Sequence, residues 1–108
     1  MITSKTFESV KRLVAKRDVL ISSHGYDELA EDHLSVREIL ESLPSAIVIE
    51  DYPDFGKGPC CLLLQVDSKD EPVHTVWGIP KEKSHPAVLI TAYRPDPERW
   101  SEDFQRRL

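Results

Sequence analysis

Short connections constrain this chain more than any other feature. After Pro44 the hydrophobic pattern changes from helical to extended, and four largely apolar runs follow, at 46–52, 60–66, 73–79 and 87–93. The joints between them, 53–59, 67–72 and 80–86, hold six or seven residues. That is too short for crossover helices, so the runs are expected to form a four-stranded antiparallel meander. The last run continues to Pro95 as Ala-Val-Leu-Ile-Thr-Ala-Tyr-Arg-Pro. Its apolar first half, fenced by Pro86 and Pro95, predicts a strand buried on both faces. Polarity returns with Thr91, Tyr93 and Arg94, which would bring a hydroxyl, a phenol and a guanidinium to the end of a rigid element. The plainer reading is a core strand whose end reaches the surface.

Upstream, residues 4–17 place Phe7, Val10, Leu13 and Val14 at helical spacing, with cations crowding the last turn as the macrodipole prefers. Val19, Leu20 and Ile21 read as a short extended link. Ser22 or Ser23 is an N-cap for a second helix reaching about Asp32, with Tyr26, Leu29 and Ala30 on its apolar side. Ser35-Val-Arg-Glu38 is a capping box that opens a third helix, whose Val36, Ile39, Leu40 and Leu43 repeat at helical spacing until Pro44. Beyond the strands, Asp96 and Pro97 form an N-cap and N1 pair for a short C-terminal helix carrying Trp100 and Phe104. The expected fold class is α+β, with N-terminal helices packed on one face of the four-stranded sheet and residues 1–108 forming a single domain.

A chain of 108 residues with 40% hydrophobic content can bury one core without staples. Cys60 and Cys61 are adjacent, which suits neither a disulfide framework nor a C-x-x-C site, so they read as core thiols. No apolar run approaches membrane-spanning length, and no signal-type region follows the first residues, so a cytoplasmic protein away from membranes is expected. The net charge of −5 argues against indiscriminate nucleic-acid binding. Charge is unevenly placed: residues 27–54 hold nine acids against Arg37 alone, while residues 1–26 carry a balance of +3. An acidic docking face for a basic partner is one expectation; a basic surface where the first helix meets the carboxyl end is another.

His24 falls in the opening turn of the second helix, where unpaired amides and the dipole disfavour positive charge, as suits a general base. The plain alternative is a histidine packed beside the cap. Gly25 weakens the helix and hints at a close approach by backbone or ligand. His74 lies mid-strand and shares a face with Val76, while Thr75 and Trp77 share the other. His33 and His85 fall in loops. His24 and Glu28, followed by Glu31, Asp32 and His33, offer a metal reading, but such i, i+4 pairs are more often surface contacts, and no metal or other cofactor is expected. No phosphate-cradling glycine pattern and no serine-nucleophile elbow is present.

Several short motifs occur in order: Ser22-x-His24, Ala30-Glu31, Leu34-Ser35, Ile49-x-x-Tyr52-Pro53, Pro72-Val73-His74-x-Val76 and Ile90-Thr91-x-Tyr93-x-Pro95. Over about residues 19–100 the chain resembles the prokaryotic family catalogued as domain of unknown function 4258. That family is thought to be similar to RelE-like toxins, within a group of small ribonucleases of barnase and colicin type. The resemblance implies helices followed by a four-stranded antiparallel sheet, RNA cleavage without a metal, and an antitoxin encoded nearby. It implies His24 as base or acid with His74 as counterpart, Arg94 as phosphate clamp, Tyr93 stacking on a base or donating a proton, and Thr91 bonding the phosphate. Arg106 and Arg107 would add backbone contacts. Where the family usually has Glu-Arg-Gly after the second helix, this chain has Glu31-Asp32-His33, an acid in place of a cation. A domain that has lost catalysis and binds a partner through its acidic 27–54 face is the competing expectation.

Overall fold

The computed structural model describes residues 2–108. Its elements run α1 (Lys5–Ala15), β1 (Val19–Ile21), α2 (Ser23–Glu31), α3 (Val36–Ser42), a 3-10 turn (Leu43–Ser45), β2 (Ile47–Tyr52), β3 (Cys60–Val66), β4 (Pro72–Gly78) and β5 (Ala87–Tyr93). The cap residues act as their sequence suggests. Ser4 Oγ accepts from the Phe7 amide, Ser22 Oγ from the Gly25 amide, and Ser35 with Glu38 closes a reciprocal capping box. Glu38 Oε2 also accepts from the Ser68 amide across to the β3–β4 turn. The Ser68 and Ser35 amides hold its carboxyl at a pKa of about 2.

The sheet order is β1-β5-β4-β3-β2, so the meander β2–β5 is antiparallel as expected, but the sheet has five strands. The supposed link at 19–21 is an additional edge strand, pairing in parallel with β5 from Val19↔Ala87 to Ile21↔Leu89. Three residues with one exposed leucine carry too little alternation to announce a strand. The expected C-terminal helix is also corrected. Asp96 caps a single turn, with its carbonyl accepting from the Arg99 amide at 2.9 Å. The chain then doubles back through a Trp100↔Arg107 bridge, with no helix among residues 94–108. A segment this short gains little from helical hydrogen bonds, and burial of its two aromatic rings decides its path.

Alternation sorts the strands into two faces. Cys61, Leu63, Val73, Trp77, Leu89 and Ala92 join Phe7, Val10, Val14, Leu29 and Ile39 in the main core beneath the helices. The opposite face carries Ile49, Leu62, Leu64 and Val76, covered by Trp100 and Phe104 of the C-terminal segment. β5 is thus buried on the helix side only. Val88 and Thr91 are half-covered and Ile90 is exposed, which corrects the expectation of burial on both faces. Ile90 is the extra residue of a bulge, since Val76 faces Thr91 while Trp77 faces Leu89. Both cysteines are free and buried, and burial pushes the Cys61 thiol up to about 12.

One buried polar residue locks the helices to the sheet. Gln65, 2% exposed, donates through Nε2 to the Ile39 carbonyl (2.7 Å) and Ser42 Oγ (2.8 Å). Its Oε1 accepts from Thr75 Oγ1 (2.6 Å) and Trp77 Nε1 (3.0 Å). All four hydrogen-bonding positions of the amide are filled, joining the end of α3 to β3 and β4. Replacing Gln65 by leucine leaves the Trp77 and Thr75 donors without that partner in an apolar core. Urea denaturation is expected to show a loss of about 2–4 kcal/mol.

Candidate active site

β5 is longer than its parallel neighbour, so its edge beyond Leu89 has no strand beside it. α2 fills that edge. The Ser22 amide donates to the Leu89 carbonyl at 3.1 Å, and Ser22 Oγ donates to the Ile90 carbonyl at 2.9 Å. Farther along, Glu28 Oε1 accepts from the Ala92 amide at 3.2 Å and from the Thr91 hydroxyl, and Asp32 Oδ2 accepts from the Arg94 amide at 3.2 Å. Gly25 permits this approach, because a Cβ there would meet the Leu89 carbonyl oxygen at 3.0 Å. The close contact that Gly25 suggests is therefore with backbone.

His24 sits at the start of this row, its side chain 70% exposed and its Nε2 3.0 Å from Glu28 Oε1. His74 lies in β4 with no exposed surface. Its Nε2 is 2.8 Å from the Phe104 carbonyl and its Nδ1 is 3.1 Å from the Tyr93 hydroxyl. A carbonyl only accepts, so Nε2 carries the proton and Nδ1 accepts from Tyr93. Trp100 packs edge-on against the imidazole with ring centroids 4.4 Å apart. Burial lowers the pKa of His74, and it raises that of Tyr93, keeping the phenol protonated.

Tyr93 Oη therefore belongs to a fixed line from the Phe104 carbonyl through His74. Tyr93 also lines a shallow cleft of about 630 Å³, together with Arg94, Asp96, Glu98, Arg99, Trp100 and Arg107. Arg107 grips Glu50 through two hydrogen bonds, of 2.9 and 3.1 Å, and lies over the Trp100 ring. The contact holds the Glu50 carboxyl below its ordinary range and raises the pKa of Arg107. Arg99 has only a loose contact, 3.9 Å from Asp96.

Arg94 donates to Asp67 Oδ2 at 2.9 Å, and only 5% of the Asp67 side chain is exposed. Burial would raise the pKa of Asp67, but the Glu71 and Lys69 amides and the Arg94 guanidinium outweigh it and leave it lowered. The sequence-derived residues thus divide. Thr91 and Tyr93 lie on β5 with Arg94 just past its end, and His74 is bonded to Tyr93. His24 reaches the group only through Glu28. Arg106 is exposed outside the cleft, where it lines the groove between the start of α1 and β2 with Lys5, Glu8, Asp51 and Asp103. In this groove, between the start of the first helix and the carboxyl end, acids interleave with the cations. Sequence reasoning passed over Arg99 and the roles of Glu28 and Asp67, which depend on partners more than 20 residues away in the chain.

The family model described as Domain of unknown function (DUF4258) matches residues 21–94. The chain belongs to this family. The match takes in α2 and the whole sheet except the first two residues of β1, and so the row from Ser22 to Arg94. No curated protein and no solved structure matches the chain. Among the described residues, no group of three His, Cys, Asp or Glu side chains is placed to hold a metal ion, and no helix is long and apolar enough to cross a membrane.

Two measurements follow from this geometry. A folded His74 with its pKa below the ordinary 6.5 makes the unfolded chain the stronger proton binder, so its contribution to stability is complete above that value and declines as pH falls below it. Urea midpoints are expected to drop between pH 7 and pH 5.5, with a smaller drop in His74→Phe. Arg94→Ala removes the side-chain partner of a buried carboxylate, and chemical denaturation is expected to show a loss of roughly 1.5–3 kcal/mol.

Proposed function

We propose that this protein is a toxin-type endoribonuclease acting at the cleft over Tyr93. The observation that carries the reading is half-buried Tyr93, its hydroxyl held by His74, in a cleft that Arg94, Arg99 and Arg107 also line. A protonated phenol beside guanidinium groups suits a phosphodiester whose leaving oxygen needs a proton. The substrate class, RNA, and a reaction that needs no metal are what the sequence motifs imply through the family's supposed kinship with RelE-like and barnase-type ribonucleases. A base removes the 2′-hydroxyl proton, the 2′-oxygen bonds to phosphorus, and the bond to the 5′-oxygen breaks as that oxygen takes a proton from Tyr93. The products are a 2′,3′-cyclic phosphate and a 5′-hydroxyl. His24, open to solvent, is the base in this scheme, while His74 positions the Tyr93 oxygen without touching RNA, and exchange with solvent water removes the proton gained by His24 and restores the one lost by Tyr93. Thr91, bonded to Glu28, supports the site, and an antitoxin protein would silence it by covering the cleft.

A second reading, a binding domain without catalysis, draws on the sealing of His74 under Trp100 and on the carboxylate partners already held by Arg94 and Arg107. Its docking face would be the acidic stretch 27–54, where Asp27, Glu31, Glu41 and Asp54 are exposed, while Glu28, Asp32, Glu38, Glu50 and Asp51 are each also tied to a distant part of the fold.

The deciding experiment incubates purified protein with mixed-sequence single-stranded RNA in EDTA and identifies the new ends. Cyclic-phosphate ends are expected, with cleavage slowed about 100-fold or more in Tyr93→Phe. Intact RNA with the wild-type protein would overturn the free-standing nuclease and leave a ribosome-dependent toxin or the binding domain.

A further inference from the structure

His24 and Glu28 stand one turn apart on α2, a spacing at which histidine–glutamate pairs are usually loose surface contacts. This pair differs in what holds its carboxylate. The Glu28 oxygen facing His24 Nε2 at 3.0 Å also receives the Thr91 hydroxyl and the Ala92 amide, both on β5. Glu28 is 23% exposed against 70% for His24, so the acceptor is fixed to the sheet while the ring projects from it. A neutral imidazole that donates from Nε2 has its lone pair on Nδ1. A carboxylate bound to one ring nitrogen sets both tautomer and orientation.

Thr91 and Tyr93 lie two residues apart on β5 and face the C-terminal segment, as their partners Val76 and His74 show. That spacing is roughly 6.5–7 Å along the strand. Glu28 therefore ties the exposed imidazole to the same strip of sheet that presents Tyr93.

We infer that Glu28 is a positioning residue that keeps the proton of His24 on Nε2 and presents Nδ1 as the proton-accepting atom. The assignment of Nδ1 as the base rests on the ribonuclease reading above; the pairing itself does not. Two measurements separate them. In two-bond ¹H–¹⁵N spectra of histidine-labelled protein at pH 8, His24 is expected to show the shifts of a single Nε2–H tautomer. In Glu28→Ala the shifts are expected to move toward an average of the two tautomers, and in Thr91→Val, which keeps the carboxylate and loosens its anchor, partway. Identical His24 spectra in all three proteins would overturn the pairing whether or not RNA is cut. In the cleavage assay, Glu28→Ala is expected to lower kcat on the order of 10-fold with KM within about twofold. Unchanged kcat with altered spectra would remove Nδ1 as the base and leave the pairing standing. A wild-type protein that leaves RNA intact would also remove that role, and the spectra would still decide the pairing.

Discussion

The carboxyl-terminal half of β5 has no strand on its outer side, and the molecule is arranged around that exposed edge. An unpaired row of amides and carbonyls is a template for another chain to add to the sheet, and a protein must cover it, twist it or charge it. Here a helix covers it. Ser22, Glu28 and Asp32 supply one donor or acceptor after another along α2, matching the groups of Leu89, Ile90, Ala92 and Arg94 in order. The bulge at Ile90 turns two successive carbonyls toward the helix, and the missing side chain of Gly25 lets the backbones close in. Asp32, which the resemblance sets in the place of a cation, accepts from the Arg94 amide. An acid at this position has a structural use that a cation lacks.

That edge also explains how much of the chain its sequence disclosed. The capping box at Ser35, the strands β2–β5 and the shared face of His74 and Val76 follow from local spacing, and local spacing survives in the fold. β1 escaped because a three-residue edge strand leaves no period to read. The C-terminal segment escaped because Trp100 and Phe104 report burial without reporting backbone shape. The acidic stretch was legible as charge and not as contacts. Counting charges gives no sign of their bonding: Glu28, Asp32, Glu38, Glu50 and Asp51 each bond a residue far away in sequence, while Asp27, Glu31, Glu41 and Asp54 stay exposed.

Gln65 and His74 show the same limit on opposite faces of the sheet. A glutamine in a leucine-dense strand carries no local signal that its four hydrogen-bonding positions will all be used, yet it orients Trp77 and ties α3 to the sheet. The sequence did mark His74 as unusual for its apolar surroundings. It could not show that both ring nitrogens are satisfied by Tyr93 and the Phe104 carbonyl. That arrangement passes any chemical role from the imidazole to the phenol it supports.

The three arginines of the cleft are not equivalent toward an anion, and magnitudes separate them. Arg107 and Glu50 form a largely exposed pair on the arginine side, and exposed pairs contribute about 0–1 kcal/mol, so a phosphate can replace the carboxylate at little cost. Arg99 is 83% exposed and loosely held, and it is free to swing. Arg94 stands apart, because withdrawing it from Asp67 strands a carboxylate with 5% exposure, and breaking buried pairs costs roughly 3–5 kcal/mol. The amides of Lys69 and Glu71 soften that penalty without removing it. Arg94, the residue that resemblance casts as the clamp, is better suited to holding the β3–β4 turn against β5. A polyanion entering the cleft would engage Arg99 and Arg107 more readily than the anchored guanidinium of Arg94.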